Sequence, residues 1–392
     1  MPAFCAIDFG TSNSAIALPD QVRVRLVELE PGQHNMPTAV FYAVEGLASY
    51  QEPQRHYGRA AVAAYVEGIE GRLMRSMKSI LGSTLAAQAT DVGGGRSVRY
   101  LDVVGSYLRH LKTIAQAQAG RPLTQVVLGR LVFFVDDDPQ RDAAAQAALE
   151  QAARAVCFAE VRFQYEPIAA ALDYETTVER EQLVLVADIG GGTSDFSLVR
   201  VGPVRRRRVE RKDDILANYG IHVAGTDFDR RTELARILPA CGYRALGPTG
   251  REVPSKVYFD LATWHLINTV YAAGRVAELQ GMRTFFADTQ QHARLMAAVR
   301  QRLGHALIGR AEAAKITVAE GSAATIDLGL LEAGLQVLLD EAGALYFTGG
   351  STGLQPLADR IAARFPAARA IRGDRFSSVA QGLGQHALRV FG

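Results

Sequence analysis

Two stretches of the chain set an acidic residue and a glycine turn between apolar runs. The first is CAIDFGTSNSAIAL, Cys5 to Leu18, and the second is VADIGGGTSDFSLV, Val186 to Val199. Their aspartates, Asp8 and Asp188, stand 180 positions apart (188 − 8). Glycine carries no Cβ, so turns built on Gly10, and on Gly190, Gly191 and Gly192, let backbone N–H groups approach a ligand closely. Thr11, Ser12 and Thr193 add hydroxyl donors. Such turns can cradle phosphate oxygens, each charge-assisted bond contributing roughly 1.5–3 kcal/mol. An aspartate cannot meet phosphate directly, because like charges repel. Asp8 and Asp188 make sense as outer ligands of Mg2+, which keeps several waters and prefers oxygen partners. A single Asp-x-Gly-Thr closes hairpins for structural reasons alone. Two copies, each near the start of one half of the chain, predict two turns gripping the same phosphates from opposite sides. The G-x-G-x-x-G and G-x-x-x-x-G-K-[ST] patterns open helices, whereas these turns lead into strands, so a Rossmann site or a P-loop is excluded.

A third glycine pair lies in YFTGGST, where Gly349 and Gly350 follow an apolar run and Ser351 is placed to cap the next helix. A base or ribose could lie flat on that backbone. The same pattern also serves as an ordinary strand-to-helix turn.

The elements that must hold these residues alternate between strand and helix periodicity. AFCAIDFG and NSAIALP read as strands joined by a turn. Gln51 to Gly82 reads as mostly helical, with apolar positions at mixed three-to-five spacing. Tyr100 to Gly120 is a clearer helix, ended by its glycine. A strand (QVVLGRLVFFV), a helix (DPQRDAAAQAALEQAARAV), a strand (EVRFQY) and a helix opened at Pro167 follow in order. The second half restarts with the strands QLVLVADIG and DFSLVRV, continues mainly helical from Phe228 to Leu303, and closes with a strand–helix unit and a small helix over Ser377 to Val390. The fold class is α/β. At 392 residues the chain exceeds what one core usually fills, so two lobes are expected.

Composition narrows the function classes. A hydrophobic fraction of 48% with 21% charged residues is globular, and a net charge of +2 gives no bulk reason for a nucleic-acid or acidic-membrane partner. No run approaches 18 uninterrupted apolar residues, and no basic segment followed by an apolar one opens the chain, so neither a membrane span nor a signal peptide is expected. Cys5, Cys157 and Cys241 lie far apart without a CxxC, which reads as three reduced, buried thiols of a cytoplasmic protein. The run RRRRVERK, Arg205 to Lys212, lacks interleaved aromatics for base stacking; it reads as a solvated strand edge guarded by charge, or as a docking surface for an acidic partner.

With these motifs in order, the sequence resembles the actin-like ATPase superfamily, and within it the ATPase domain of the seventy-kilodalton heat-shock chaperones. IDFGTSNSAIAL resembles that family's first phosphate motif, VADIGGGTSDFSLV its second, YEPIAAALDYE its connecting motif and YFTGGSTGLQPL its adenosine motif. RSMKSILG resembles the segment carrying the hydrolytic lysine, and HVAGTDFDRR the start of the second inserted subdomain. In stopping near the end of the ATPase domain, the chain is similar to bacterial YegD-type chaperone-like proteins.

The resemblance implies an actin-like, ribonuclease H-like duplicated fold, two lobes around a nucleotide cleft. Lobe I would be 1–183, with an insertion over roughly 33–105. Lobe II would be 184–392, with a helical insertion over roughly 226–302, and no peptide-binding domain would follow. It implies ATP or ADP with Mg2+, and K+ as a further cation. Lys78 would neutralise charge on the terminal phosphate or the attacking water, and Glu166 would orient the water or the metal shell. Asp8, Asp188 and Asp195 would hold Mg2+ mostly through water, with Asp188 and Thr193 also counted among the catalytic groups. Gly10, Thr11, Ser12, Gly190, Gly191, Gly192 and Thr193 would hold phosphates. Glu312 and Lys315 would clamp ribose and base, and Gly225, Gly349, Gly350 and Ser351 would line the adenosine end. Without the resemblance, Lys78 reads as a solvated surface charge on a helix, Glu166 as a helix-terminal acid, and Glu312 with Lys315 as an exposed helical pair.

The chain departs from the family where Ile316 stands for an arginine that stacks on adenine, Ala319 for a serine, Gly353 for an arginine and Phe133 for the proline of the interdomain switch, although Arg141 matches that proline's partner. Two lost guanidiniums imply weaker or looser base recognition. Peptide clamping by a second domain of the same chain is not expected. The reading is a slow ATPase whose lobe closure is read by a separate protein. Its rivals are a nucleotide-gated scaffold without turnover, a small-molecule kinase and a filament-forming protein.

Overall fold

The computed structural model describes residues 3–339 and 378–392, except 22, 49–50, 136, 222, 265 and 320–322, together with 359, 363 and 364. The chain divides into two compact units, Met1–His222 with Ile371–Gly392, and Val223–Ala370.

The first unit is built on one central sheet. Strands β1 (Phe4–Phe9), β2 (Asn13–Asp20) and β3 (Arg23–Leu26) form an antiparallel meander, and β4 (Asn35–Pro37) pairs with β2. An inserted sheet follows: β5 (Ala39–Ala43), flanked by β6 (Gln54–Tyr57) and β7 (Gly71–Arg75), with helix α1 (Gly58–Val66) between the flanking strands. A hairpin of β8 (Ala89–Gly93) and β9 (Arg96–Arg99) leads to helix α2 (Tyr100–Ala119). Strands β10 (Gln125–Arg130) and β11 (Glu160–Tyr165) then rejoin the central sheet in parallel with β1, connected by helix α3 (Pro139–Ala155). Helix α4 (Glu166–Glu175) leads into a second meander, β12 (Gln182–Ile189), β13 (Ser194–Val201) and β14 (Ile215–Ile221).

Period-two alternation explains why β1 can sit at the centre. Cys5, Ile7 and Phe9 pack on one face with Leu108 and Leu149 of α2 and α3. Phe4 and Ala6 pack on the other with Ala169 of α4 and with Leu383 and Ala387 of the last described helix, Ser378–Phe391. That helix approaches α4 so closely that a Cβ at Gly382 would overlap the Ala169 carbonyl.

In the second unit, helix α5 (Gly225–Thr232) runs into a π-helical turn, Glu233–Ile237. Further helices follow: α6 (Lys256–Leu261), α7 (Ile267–Val270), α8 (Ala273–Gly281), α9 (Thr289–Arg300) and α10 (Gly304–Ala319). They enclose Tyr258, Leu261, Leu279, Leu295 and Leu307, and a hairpin of β15 (Ala324–Asp327) and β16 (Gln336–Leu339) packs on the same core. The mainly helical stretch expected from Phe228 to Leu303 is therefore present, as is the small C-terminal helix, α11 (Ser378–Phe391). The expected strand–helix unit around YFTGGST lies outside the described residues.

Three expectations need correction. Gln51 to Gly82 is not mostly helical: β6 and β7 flank β5 on either side, and only Gly58–Val66 is an α-helix. Gly71 shows why the strand wins, since a Cβ there would run into the Tyr42 carbonyl across the ladder. The basic run is not an open strand edge. Arg211, 2% exposed, makes a bidentate pair with Glu175 at 2.9 Å and also pairs with Asp214, while Arg205 pairs with Asp214 and Glu181. Arg207 and Arg208 face solvent. Finally, Cys157 is exposed while Cys5 and Cys241 are buried; Cys157 sits just past α3 with φ of 66°, outside the packed face of that helix.

Candidate functional site

The two acidic-glycine hairpins share one register. In the first, Asp8 pairs with Ala15 and Phe9 with Ser14. In the second, Asp188 pairs with Asp195 and Ile189 with Ser194. A shift of 180 positions carries one set of pairs onto the other. Both turns are tight. A Cβ at Gly10 would overlap the Asn13 carbonyl, and in the second turn the Gly190 N–H donates to the Thr193 carbonyl at 2.9 Å. The turns lie against one another: a Cβ at Gly191 would fall on the Ser12 side chain, and one at Gly192 would come within 2.9 Å of Thr11 Cγ2. Glycine at 191 leaves the space that the Ser12 side chain fills, and glycine at 192 relieves a tight contact with Thr11. Thr193 follows directly, partly buried, and Asp195 sits over Gly220 of β14, where a Cβ would meet its Oδ1 at 2.7 Å.

Lys78 and Glu166 meet beside these turns. Ser76, at φ of 54°, bends the chain out of β7, and Lys78 stands in the 3-10 turn Met77–Ile80, not on an exposed helix face. Its Nζ donates to Glu166 Oε1 at 2.5 Å, and the two residues are 5% and 6% exposed. Glu166 opens α4 directly after β11 and lies over Gly129 of β10, where a Cβ would be 3.1 Å from its Oε1. The solvated-lysine reading is thereby removed for this structure.

The electrostatics are those of crowded acids around one buried ammonium. Asp8 is pushed up to about 8, by burial first and then by Glu166 and Asp188, against the pull of Lys78. Asp188 is pushed up to about 6 by burial, Glu166 and Asp195, again opposed by Lys78. Burial lowers the Lys78 ammonium, but Glu166, Asp8 and Asp188 outweigh it, and the group is held above its ordinary value. Carboxylates that raise one another in this way would be relieved by a divalent cation. Among the described residues no three His, Cys, Asp or Glu side chains converge tightly enough to hold a metal directly. Mg2+ held through its waters fits such a donor set.

Within the second unit, Gly225 opens α5 and its carbonyl accepts from Lys315 Nζ at 3.2 Å. Lys315 also pairs with Asp229 at 2.6 Å, so its ammonium is engaged within its own unit. Glu312 lies one turn earlier on α10, partly buried, and Ile316 is 49% exposed. Gly349, Gly350, Ser351 and Gly353 lie outside the described residues. Arg141 donates to the Gly82 carbonyl at 2.7 Å, tying the start of α3 to the segment after Lys78, and Phe133 is exposed.

Sequence reasoning passed over Gln164 and His386. Gln164 Nε2 donates to His386 Nδ1 at 2.9 Å, while its Oε1 accepts from the Tyr165 N–H, so the strand end that carries Glu166 is bolted to α11. Burial, then Arg389 and Arg211, push His386 down to about 4, which keeps it a neutral acceptor. No local pattern announces a bond across 222 positions.

A mixed sheet with paired glycine hairpins facing each other, and a buried Lys–Glu pair beside acidic strand ends, fits the actin-like ATPase class. The model of the family described as Hsp70 protein matches residues 4–233, more than half of the chain. The chain belongs to the Hsp70 family, and at that level it is a nucleotide-binding, chaperone-like ATPase of the kind that uses ATP or ADP with Mg2+. The match includes both turns, Lys78, Glu166 and Gly225, and ends before Glu312 and Lys315. Among the described residues no helix is long and apolar enough to cross a membrane.

Proposed function

We propose that the chain binds MgATP and hydrolyses it slowly, and that closure of its lobes, 1–183 and 184–392, is read by a separate protein in the cytoplasm. The observation that carries this reading is the buried Lys78–Glu166 pair set beside two facing glycine turns in one register. Amides and hydroxyls of Gly10, Thr11 and Ser12, and of Gly190 to Thr193, hold the phosphates. Asp8, Asp188 and Asp195 are the groups that would hold Mg2+ through water, and the ion would supply charge neutralisation at the phosphates. Glu166, fixed at the head of α4, orients the attacking water. Lys78 neutralises charge that develops on the terminal phosphate in line with attack. At the adenosine end, Gly225, Glu312, Lys315, Gly349, Gly350 and Ser351 take ribose and base. Ile316 offers neither charge nor a stacking plane there, so base selectivity is expected to be loose. A K+ ion beside the acids is a further element of the proposal.

The test is a single-turnover assay with terminally labelled ATP and Mg2+, comparing the chain with Lys78→Ala. Slow phosphate release that disappears in the variant, with nucleotide still bound, supports the reading. Tight binding without release from either protein overturns turnover and leaves a nucleotide-gated scaffold. Transfer of label to a small hydroxylated acceptor would make it a kinase.

A further inference from the structure

Thr38 stands at the junction of two sheets. It directly follows β4, which pairs with β2 of the central sheet (Asn13 with Pro37, Ser14 with Met36), and directly precedes β5, the middle strand of the inserted sheet. The residue is 1% exposed. Its N–H donates to the Ser12 carbonyl at 2.8 Å and its hydroxyl to the Gly10 carbonyl, also at 2.8 Å. One residue therefore holds both ends of the Gly10–Thr11–Ser12 turn.

The hydroxyl's direction is itself fixed. Threonine has one O–H to donate, and the Gly10 carbonyl takes it. The contact of Ser14 Oγ with Thr38 Oγ1 at 2.9 Å must then run from Ser14 to Thr38. Tyr107 of α2 closes the row by donating to the Pro37 carbonyl at 3.0 Å. With two carbonyls tied back, the turn is biased to offer N–H groups and hydroxyls outward, which is what an anion needs.

The inserted sheet reaches the site by a second route. Ala39, next to Thr38, pairs with Arg75 at the end of β7, and the chain then turns through Ser76 into Lys78. Thr38 and the lysine turn thus leave the same end of one β5–β7 pair. We propose that Thr38 is a positioning residue for the first phosphate turn, and that through it the inserted sheet sets that turn and Lys78 together. This rests on the reading of the turn as a phosphate cradle.

The experiment uses the full chain and compares wild type, Thr38→Val and Thr38→Ser in binding of MgATP and of adenosine, with steady-state turnover alongside. Valine keeps the shape and removes the hydroxyl. The expected result is a Kd for MgATP raised about tenfold in Thr38→Val, as for one lost bond in a charged site, with kcat changed much less than KM. Adenosine, which has no phosphate, should bind as in wild type, and Thr38→Ser should recover most of the MgATP affinity. A general loosening of the fold would weaken both ligands alike, and that outcome overturns the proposal. So does MgATP binding at wild-type strength in Thr38→Val. Should Thr38→Val not fold, Ser14→Ala takes its place, with a smaller rise of the same phosphate-specific kind expected and equal loss of both ligands again overturning it. A wild-type chain that binds no nucleotide removes the cradle itself, a failure distinct from that of Thr38.

Discussion

Replacing Lys78 by methionine keeps most of the side chain's bulk and removes its charge. The ammonium lies 2.5 Å from Glu166 with both residues nearly sealed from solvent, and Asp8 and Asp188 press on the same place. Stripping one partner from a buried pair costs about 3–5 kcal/mol, because the other charge is left uncompensated. Domains of ~150–250 residues lose roughly 2–4 °C of melting temperature per kcal/mol, so a fall of about 6–20 °C is expected for the first unit. Glu166→Gln should cost far less. Lys78 keeps Asp8 and Asp188 as counter-charges, and the repulsion that Glu166 exerts on both is relieved. The double variant leaves Glu166 without a charge to strand and should melt above Lys78→Met. The assay is thermal unfolding by circular dichroism without nucleotide, on the wild type, both single variants and the double. If Lys78→Met melts within about 2 °C of wild type, the equivalent of under 1 kcal/mol, the pair is not buried as described. A double variant less stable than Lys78→Met would refute the charge argument even if the pair exists.

Two further outcomes are expected. Arg211→Met leaves Glu175, 0% exposed, without its bidentate cation and Asp214, 1% exposed, with Arg205 alone, and should lower stability in urea by about 3–5 kcal/mol, whereas Arg207→Ala and Arg208→Ala should stay within about 0.5 kcal/mol. Equal effects at all three positions would return the basic run to a solvated edge. His386 resists protonation in the fold down to about 4 against an ordinary 6.5, so its contribution is complete above about 6.5 and is lost as pH falls toward 4. Urea titrations from pH 7 to 4 should therefore fall less steeply in His386→Gln than in wild type, by a difference on the order of 3 kcal/mol at the acid end. Parallel curves would place the ring in solvent.

Local signals carried far in this chain. The hairpins were legible because alternating apolar runs flank a glycine turn. Helix α2 was legible because Gly120 ends it, in a left-handed conformation; α3 was read from its alanine-rich run, and the structure adds that Asp138 caps it ahead of Pro139. Where partners are distant, the sequence was silent or misleading. β7 has helical-looking spacing, and its strand character comes from β5, more than thirty positions earlier. The guanidinium of Arg211 finds Glu175 across 36 positions, and no property of RRRRVERK says which arginine turns inward. Resemblance named Lys78 and Glu166 separately. Their union is a product of the fold, since the turn after β7 and the start of α4 come together at the Gly129 end of β10.

The duplication that opened the sequence is not a symmetry of residues. Both hairpins keep one register, yet the residue opposite Asp8 is Ala15, buried in the sheet, while the residue opposite Asp188 is a second acid, Asp195. The first turn is propped from behind by the neutral hydroxyls of Thr38, Ser14 and Tyr107. The second closes on its own Gly190–Thr193 bond and carries the doubled negative charge. On the proposed reading both turns offer donors to phosphate oxygens, while the second, with Asp188 and Asp195 against Asp8 alone in the first, carries the larger share of the groups that would hold the hydrated cation. Glu166 and Lys78 stand between these two demands, and their ion pair holds opposite charges together where the two kinds of ligand would meet.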